Sequence, residues 1–172
     1  MEDVEGWQNY LRLSLLLREG NQIIRQVFRS QYKEKMKMDW EDKSESAQEF
    51  ISTIGKELYE SSLKIQKKLL KTGNAEKWDI PLLASVIKTI DRNVDGTPNY
   101  CSTEMNRNIK NLVEVRNQYE HLPRQSLTKE KFTNLWILGR DSLVVLGGDE
   151  EDIDRIRTAE NIHCKYFSYY VL

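Results

Sequence analysis

An all-α fold of five to seven helices is the architecture this sequence predicts, and three observations predict it. Apolar residues recur at helical spacing along most of the 172 residues, only three prolines and eight glycines interrupt them, and alternating β-branched runs are absent before the last few positions. No internal repeat is visible, so the helices are expected to form one domain over 1–172 rather than an array. Hydrophobic residues at 39% and charged residues at 31% give a globular balance. A chain of this length buries a core without staples.

The first helix is predicted over about Val4–Tyr32, where Trp7, Leu11, Leu15, Ile23, Ile24, Val27 and Phe28 lie at near-helical spacing and Gly20 is a candidate bend. Lys33–Ser44 is charged and breaks the pattern, which predicts a loop pinned to the core by Trp40. A second helical stretch covers about Ser46–Lys71 with Phe50, Ile54, Leu58, Ile65 and Leu69 as its apolar positions. Gly55 is placed to divide it, and Gly73 to stop it in a left-handed conformation.

Asp79 is placed to cap the next helix and Pro81 is tolerated in its first turn, with Leu82, Leu83, Val86, Ile87 and Ile90 as its apolar stripe. Gly96 and Pro98 make 93–102 a surface loop. A helix over about Thr103–His121 follows, closed by Pro123. The last long helix, about Thr128–Leu146, stops at Gly147 and Gly148. Asp149–Asp152 then suit the N-terminus of a short helix carrying Ile153 and Ile156, because negative charge is favoured there. The terminal KYFSYYVL stays open between a helix end, an added strand and a packing tail.

Composition excludes several function classes. No stretch approaches the roughly 20 apolar residues of a membrane span, and the opening MEDVEGWQNY lacks the regions of a signal peptide. A soluble, cytoplasmic protein with no membrane partner is therefore expected. Cys101 and Cys164 lack CxxC spacing, and with only His121 and His163 a histidine-rich metal site is not expected. Walker, GxGxxG, HExxH and GxSxG motifs are absent, and no cofactor is expected. The net charge of −1 argues against bulk coating of nucleic acid. Locally, six basic residues stand against three acidic over Met105–Lys131, and six acidic against two basic over Asp149–Glu160. Solvated helix faces are the commoner cause of such runs.

The helix before Pro123 carries the one constellation with chemistry in it. Projected at about 100° per residue, Ile109, Leu112, Val113 and Tyr119 gather on one side with Arg116 near the middle of their stripe. A charge at a core-facing position costs free energy unless it is paired or used. Asn117 and His121 lie one turn apart on the flank, so their side chains are neighbours. Arg116 is about 140° from His121 around the axis, within the sweep of its long side chain.

The string Arg116-Asn117-Gln118-Tyr119-Glu120-His121 resembles the R-x4-6-H signature of HEPN domains, including the polar residue after the arginine. LLLREGNQIIRQVF, IPLLASVIKTI and LVEVRNQYEHLP resemble the animal HEPN subfamily found in an RNA-binding RING-type ubiquitin ligase, over about residues 10–146. Arg157 and His163 also satisfy the spacing, in a segment where that family does not place the motif.

The resemblance implies an antiparallel helical bundle that dimerises with its two motifs facing each other, an RNA or nucleotide ligand, and a role in defence or stress. In active relatives it implies metal-independent RNA cleavage by a ribose 2′-hydroxyl attacking the adjacent phosphate. Histidine suits such chemistry because its unperturbed pKa of about 6.5 lets it exchange a proton near neutrality, which makes His121 the acid or base. Arg116 would grip phosphate and stabilise transition-state charge, and Asn117 would orient the histidine or bond a phosphate oxygen. Arg107, Lys110, Tyr119 and Arg124 form a weaker RNA-contacting tier.

Blander readings compete with each assignment. Arg116 would be tied up by Glu120 or by an acidic residue of another helix. His121 would be an ordinary helix C-terminal histidine favoured by the helix dipole, Asn117 an exposed polar residue, and Tyr119 a packing residue. Two functions follow: a ribonuclease, or a non-catalytic module that binds RNA or nucleotide or mediates protein association.

Overall fold

The computed structural model describes residues 4–94, 100–122 and 127–159. Among them are eight α-helices and one short 3₁₀ turn: α1 (Val4–Met36), α2 (Ser44–Thr53), α3 (Lys56–Ser61), α4 (Lys64–Thr72), the turn Ala75–Lys77, α5 (Ile80–Val94), α6 (Tyr100–Glu120), α7 (Lys129–Val145) and α8 (Glu150–Thr158). The all-helical expectation holds among these residues. α1 is the axis of the bundle, packing against α5, α6, α7 and α8, while α6 lies against both α5 and α7. The short helices α2–α4 form a side layer that touches the bundle through α3 and α5.

With neighbours on several sides, α1 buries a wider face than its near-helical spacing predicted. Leu13 and Leu16 are fully buried beside Ile23, Ile24 and Phe28, whereas Leu11 and Leu15 are only half-buried. Gly20 does not interrupt the helix. It is buried, and a Cβ there would meet Leu143 Cδ2 at 3.3 Å, so its missing side chain serves close packing of α7. The helix also runs on to Met36, past the expected end at Tyr32. Nothing between Tyr32 and Met36 breaks it, and Lys37, with φ of 59°, provides the stop.

The predicted anchor role of Trp40 holds. Its indole is buried, 5.2 Å from Phe28, 5.0 Å from Tyr32 and 5.4 Å from Trp78 between ring centroids, and Nε1 donates to Gly73 O at 3.0 Å. Gly73 ends α4 with φ of 66°, as its position suggested. Gly55 separates α2 from α3, and Ser62 and Leu63 make a second break that the spacing did not predict. On α4, Leu70 rather than Ile65 is the buried residue. Ile65 faces outward because α4 packs on α2 through its other side.

Asp79 caps α5 as expected, Oδ1 accepting from Leu82 N at 3.1 Å, and Leu82, Leu83, Val86, Ile87 and Ile90 are all buried. α5 reaches Val94 and α6 begins at Tyr100, so the connection is shorter than 93–102. Thr128 and Asp149 cap α7 and α8, and Gly147 follows α7 with φ of 100°. Pro123, Arg124, His163, Cys164 and the KYFSYYVL tail lie outside the described residues.

Candidate functional site

The end of α6 is set by the packing of its inner face. Asn108, Ile109, Leu112 and Val115 are buried, with Val113 and Tyr119 partly so. Including Val115 and Asn108 moves the centre of the stripe to the Leu112–Tyr119 line. Arg116 then sits about 50° off that centre, on the shoulder of the stripe rather than in its middle as the sequence projection had it. A shoulder position lets a long stem pack while the charged head reaches water, and the Arg116 side chain is 33% exposed.

Its guanidinium has three partners. Nη2 lies 3.5 Å from Asp79 Oδ2 at the start of α5, Nε lies 4.0 Å from Glu120 Oε1, and Nη1 donates to Asn117 Oδ1 at 3.3 Å. Both blander partners considered for this arginine, Glu120 and an acidic residue of another helix, are present. Asp79 was recognisable in the sequence only as a cap. Its second carboxylate oxygen, left over from capping, is what the arginine uses.

Asn117 is exposed and linked to Arg116 by that hydrogen bond. His121 is exposed one residue beyond the end of α6. Its N–H donates to Gln118 O, three residues back, at 3.2 Å. That closure tightens the final turn at the histidine. Arg116 and Asn117 are brought into contact, and His121 is on the same end of α6 and open to solvent.

The weaker tier separates. Tyr119 packs on the core and stacks on Tyr10 with ring centroids 4.6 Å apart and planes 24° apart, and Tyr10 in turn stacks on Trp7 at 5.8 Å. Packing is the role this contact gives it. Arg107 is exposed and 3.8 Å from Glu104, and Lys110 is exposed. At about 1.5 Å per residue they lie roughly 14 and 9 Å along the helix from Arg116, the nearest of the trio, so neither touches it. Arg157 is exposed on α8.

A groove of about 490 Å³ between α6 and α7 is lined by Gln118, Thr128, Glu130, Lys131, Asn134, Leu135 and Leu138. Its polar lining was not singled out in the sequence, because the groove exists only once the two helices pack. Among the described residues, no three His, Cys, Asp or Glu side chains cluster as metal ligands would. No helix among them is long and apolar enough to cross a membrane. Comparison of the chain with protein-family models, curated proteins and solved structures finds no match.

Proposed function

We propose that this chain is a HEPN-type domain that binds RNA or a nucleotide at the end of α6, through Arg116, Asn117 and His121. The observation that carries the reading is the Arg116–Asn117 hydrogen bond at 3.3 Å beside an exposed His121. It couples a fixed positive charge to an amide on an accessible helix end, where a phosphate with two kinds of oxygen contact would fit.

In its catalytic form the proposal is a metal-independent endoribonuclease acting as a homodimer, with the two motifs facing each other. The ribose 2′-oxygen attacks the adjacent phosphorus and gives its proton to one His121. The P–O5′ bond breaks, and the leaving 5′-oxygen takes a proton from the protonated His121 of the second copy. The products are a 2′,3′-cyclic phosphate and a 5′-hydroxyl, with Arg116 neutralising the charge that builds on the phosphoryl oxygens.

One observation favours a second reading, a non-catalytic protein-association module: Asp79 and Glu120 already neutralise Arg116. Incubating the protein with mixed-sequence RNA in EDTA, beside His121→Ala and Arg116→Ala, separates the two. Cleavage lost in both variants supports the nuclease. Binding without cleavage leaves the RNA-binding domain and removes the catalytic claim. A protein that self-associates but neither binds nor cuts RNA overturns the proposal in favour of the association module.

A further inference from the structure

The side layer carries a surface that the α6 site does not use. Between Ser61 and Ala75 the chain has four lysines, Lys64, Lys67, Lys68 and Lys71, and none of its 27 acidic residues. In a chain of net charge −1 this is a local concentration of positive charge. None of the four is ion-paired with a described residue, whereas Arg25, Arg29, Arg116 and Arg140 all are.

Aliphatic side chains lie among these lysines. Leu63 and Ile65, on either side of Lys64, are the most exposed large hydrophobic residues described, at 69% and 68%. Their exposure is built in. Leu70, about 140° round α4 from Ile65, is the side chain the helix turns inward. The start of the helix is fixed by Gln66, whose Oε1 accepts from Leu63 N at 3.2 Å. Lys67 and Lys71 lie over the ring of Tyr59 from α3, at 5.5 and 5.4 Å, which holds two of the charges against the same edge.

From this juxtaposition we infer that the α3–α4 corner docks on an anionic lipid surface. Leu63 and Ile65 enter the interface, and Lys64 and Lys68 meet the headgroup charge. Cations on long stems beside exposed aliphatic residues match the two layers of such a surface, charge above and hydrocarbon below. A single-stranded polyanion would use the lysines but leaves the two aliphatic side chains unexplained. The expectation of no membrane partner came from the lack of a spanning segment, and peripheral docking does not require one.

Sedimentation of the whole chain with sucrose-loaded vesicles tests this. Vesicles of phosphatidylcholine with about one-third phosphatidylserine are expected to pellet it, while phosphatidylcholine alone leaves it in solution, and salt weakens the binding. Lys64→Gln and Lys68→Gln each lower the partition coefficient about fivefold. Leu63→Ser with Ile65→Ser abolishes sedimentation without lowering the thermal midpoint, because both side chains are largely in water and serine suits the N-cap position of α4. Arg116→Ala and His121→Ala leave vesicle binding unchanged, which keeps this result separate from the fate of the α6 proposal. Failure of wild type to pellet with the anionic vesicles overturns the inference, as does equal binding to neutral ones or binding undiminished in the serine variant. Lysine-dependent capture of mixed-sequence RNA by a chain that ignores the vesicles would assign the corner to nucleic acid instead.

Discussion

Arg116 on α6 and Asp79 at the start of α5 meet at 3.5 Å through the carboxylate oxygen that Asp79 does not spend on capping Leu82. One residue thus starts one helix and holds the candidate ligand-binding arginine of another. Asp79→Asn separates the two duties, since asparagine caps as well as aspartate but carries no charge. The variant is expected to lose no more than about 1 kcal/mol of stability, while Asp79→Ala loses about 1 kcal/mol more through the missing cap. Release of Arg116 should raise affinity for RNA phosphate about two- to fivefold. Urea unfolding and RNA titration of both variants check the pair of outcomes. An affinity unchanged in Asp79→Asn would show that Arg116 does not contact the ligand.

Gly73 is a position where no side chain fits. Its φ is 66°, and a Cβ would fall 1.8 Å from Lys43 O, because the connection from α1 to α2 passes directly over it and Trp40 Nε1 bonds its carbonyl. Gly73→Ala is therefore expected to cost well over 1 kcal/mol, through steric displacement as well as backbone strain. Trp40→Phe keeps most of the ring packing but leaves Gly73 O unpaired, a loss of about 1–3 kcal/mol. Equilibrium unfolding in urea ranks them. A Gly73→Ala protein as stable as wild type would mean that the crossing is not a close contact in solution.

What the sequence made legible follows from which physics is local. The Asp79 cap and the Gly73 stop depend on one or two neighbouring residues, and they appear where the residue types predicted them, as does the helix start at Asp149. Burial depends on what arrives from elsewhere. Leu13 and Leu16 outrank Leu11 and Leu15 because α5 and α7 both press on α1, and Ile65 is exposed because α4 has one neighbouring face to bury. The candidate site shows both cases. Arg116 and Asn117 stand together by adjacency, but the Asp79 partner and the α6–α7 groove are tertiary and left no pattern to read.

Asp42 gives the fold a pH-sensitive joint. Burial pushes its carboxyl up, but the hydrogen bond from Arg29, the Ala75 N–H at 2.9 Å and the Arg29 charge together outweigh burial and hold it below the usual carboxylate range. A group whose folded pKa is depressed stabilises the fold above its unfolded pKa, about 4. That contribution is lost as pH falls through the lower folded value. Stability should therefore decline as pH drops from about 5 toward 3, and Asp42→Asn should be less stable at neutral pH with a flatter acid limb. Thermal unfolding across that range measures both. An acid limb as steep in the variant as in wild type would place the titrating group elsewhere.

Arg140 fastens α8 to α7, and its removal should free that helix alone. Its Nε and Nη2 donate to the two oxygens of Asp154 at 2.9 Å each, Nη1 donates to Asp141 at 3.2 Å, and Glu150 takes a further bond. The Arg140 hydrogen bonds, with the Arg140 and Arg157 charges, outweigh the upward push of burial and hold the Asp154 carboxyl below its ordinary range. Apart from this clamp, α8 is held mainly by Ile153, which is buried, and Ile156, which is partly so. In Arg140→Ala, amide exchange within Glu150–Thr158 is expected to rise several-fold while α1 and α5 keep their protection, since local opening draws on the weakest-held element. Arg140→Lys should fall between, because a single ammonium cannot bridge both oxygens of Asp154. Lowering the pH through the depressed Asp154 pKa should have the same effect on the wild-type helix. Unchanged α8 exchange in Arg140→Ala would mean that apolar contact suffices to hold it, and exchange that rises equally in α1 would mean that α8 does not open as a separate unit.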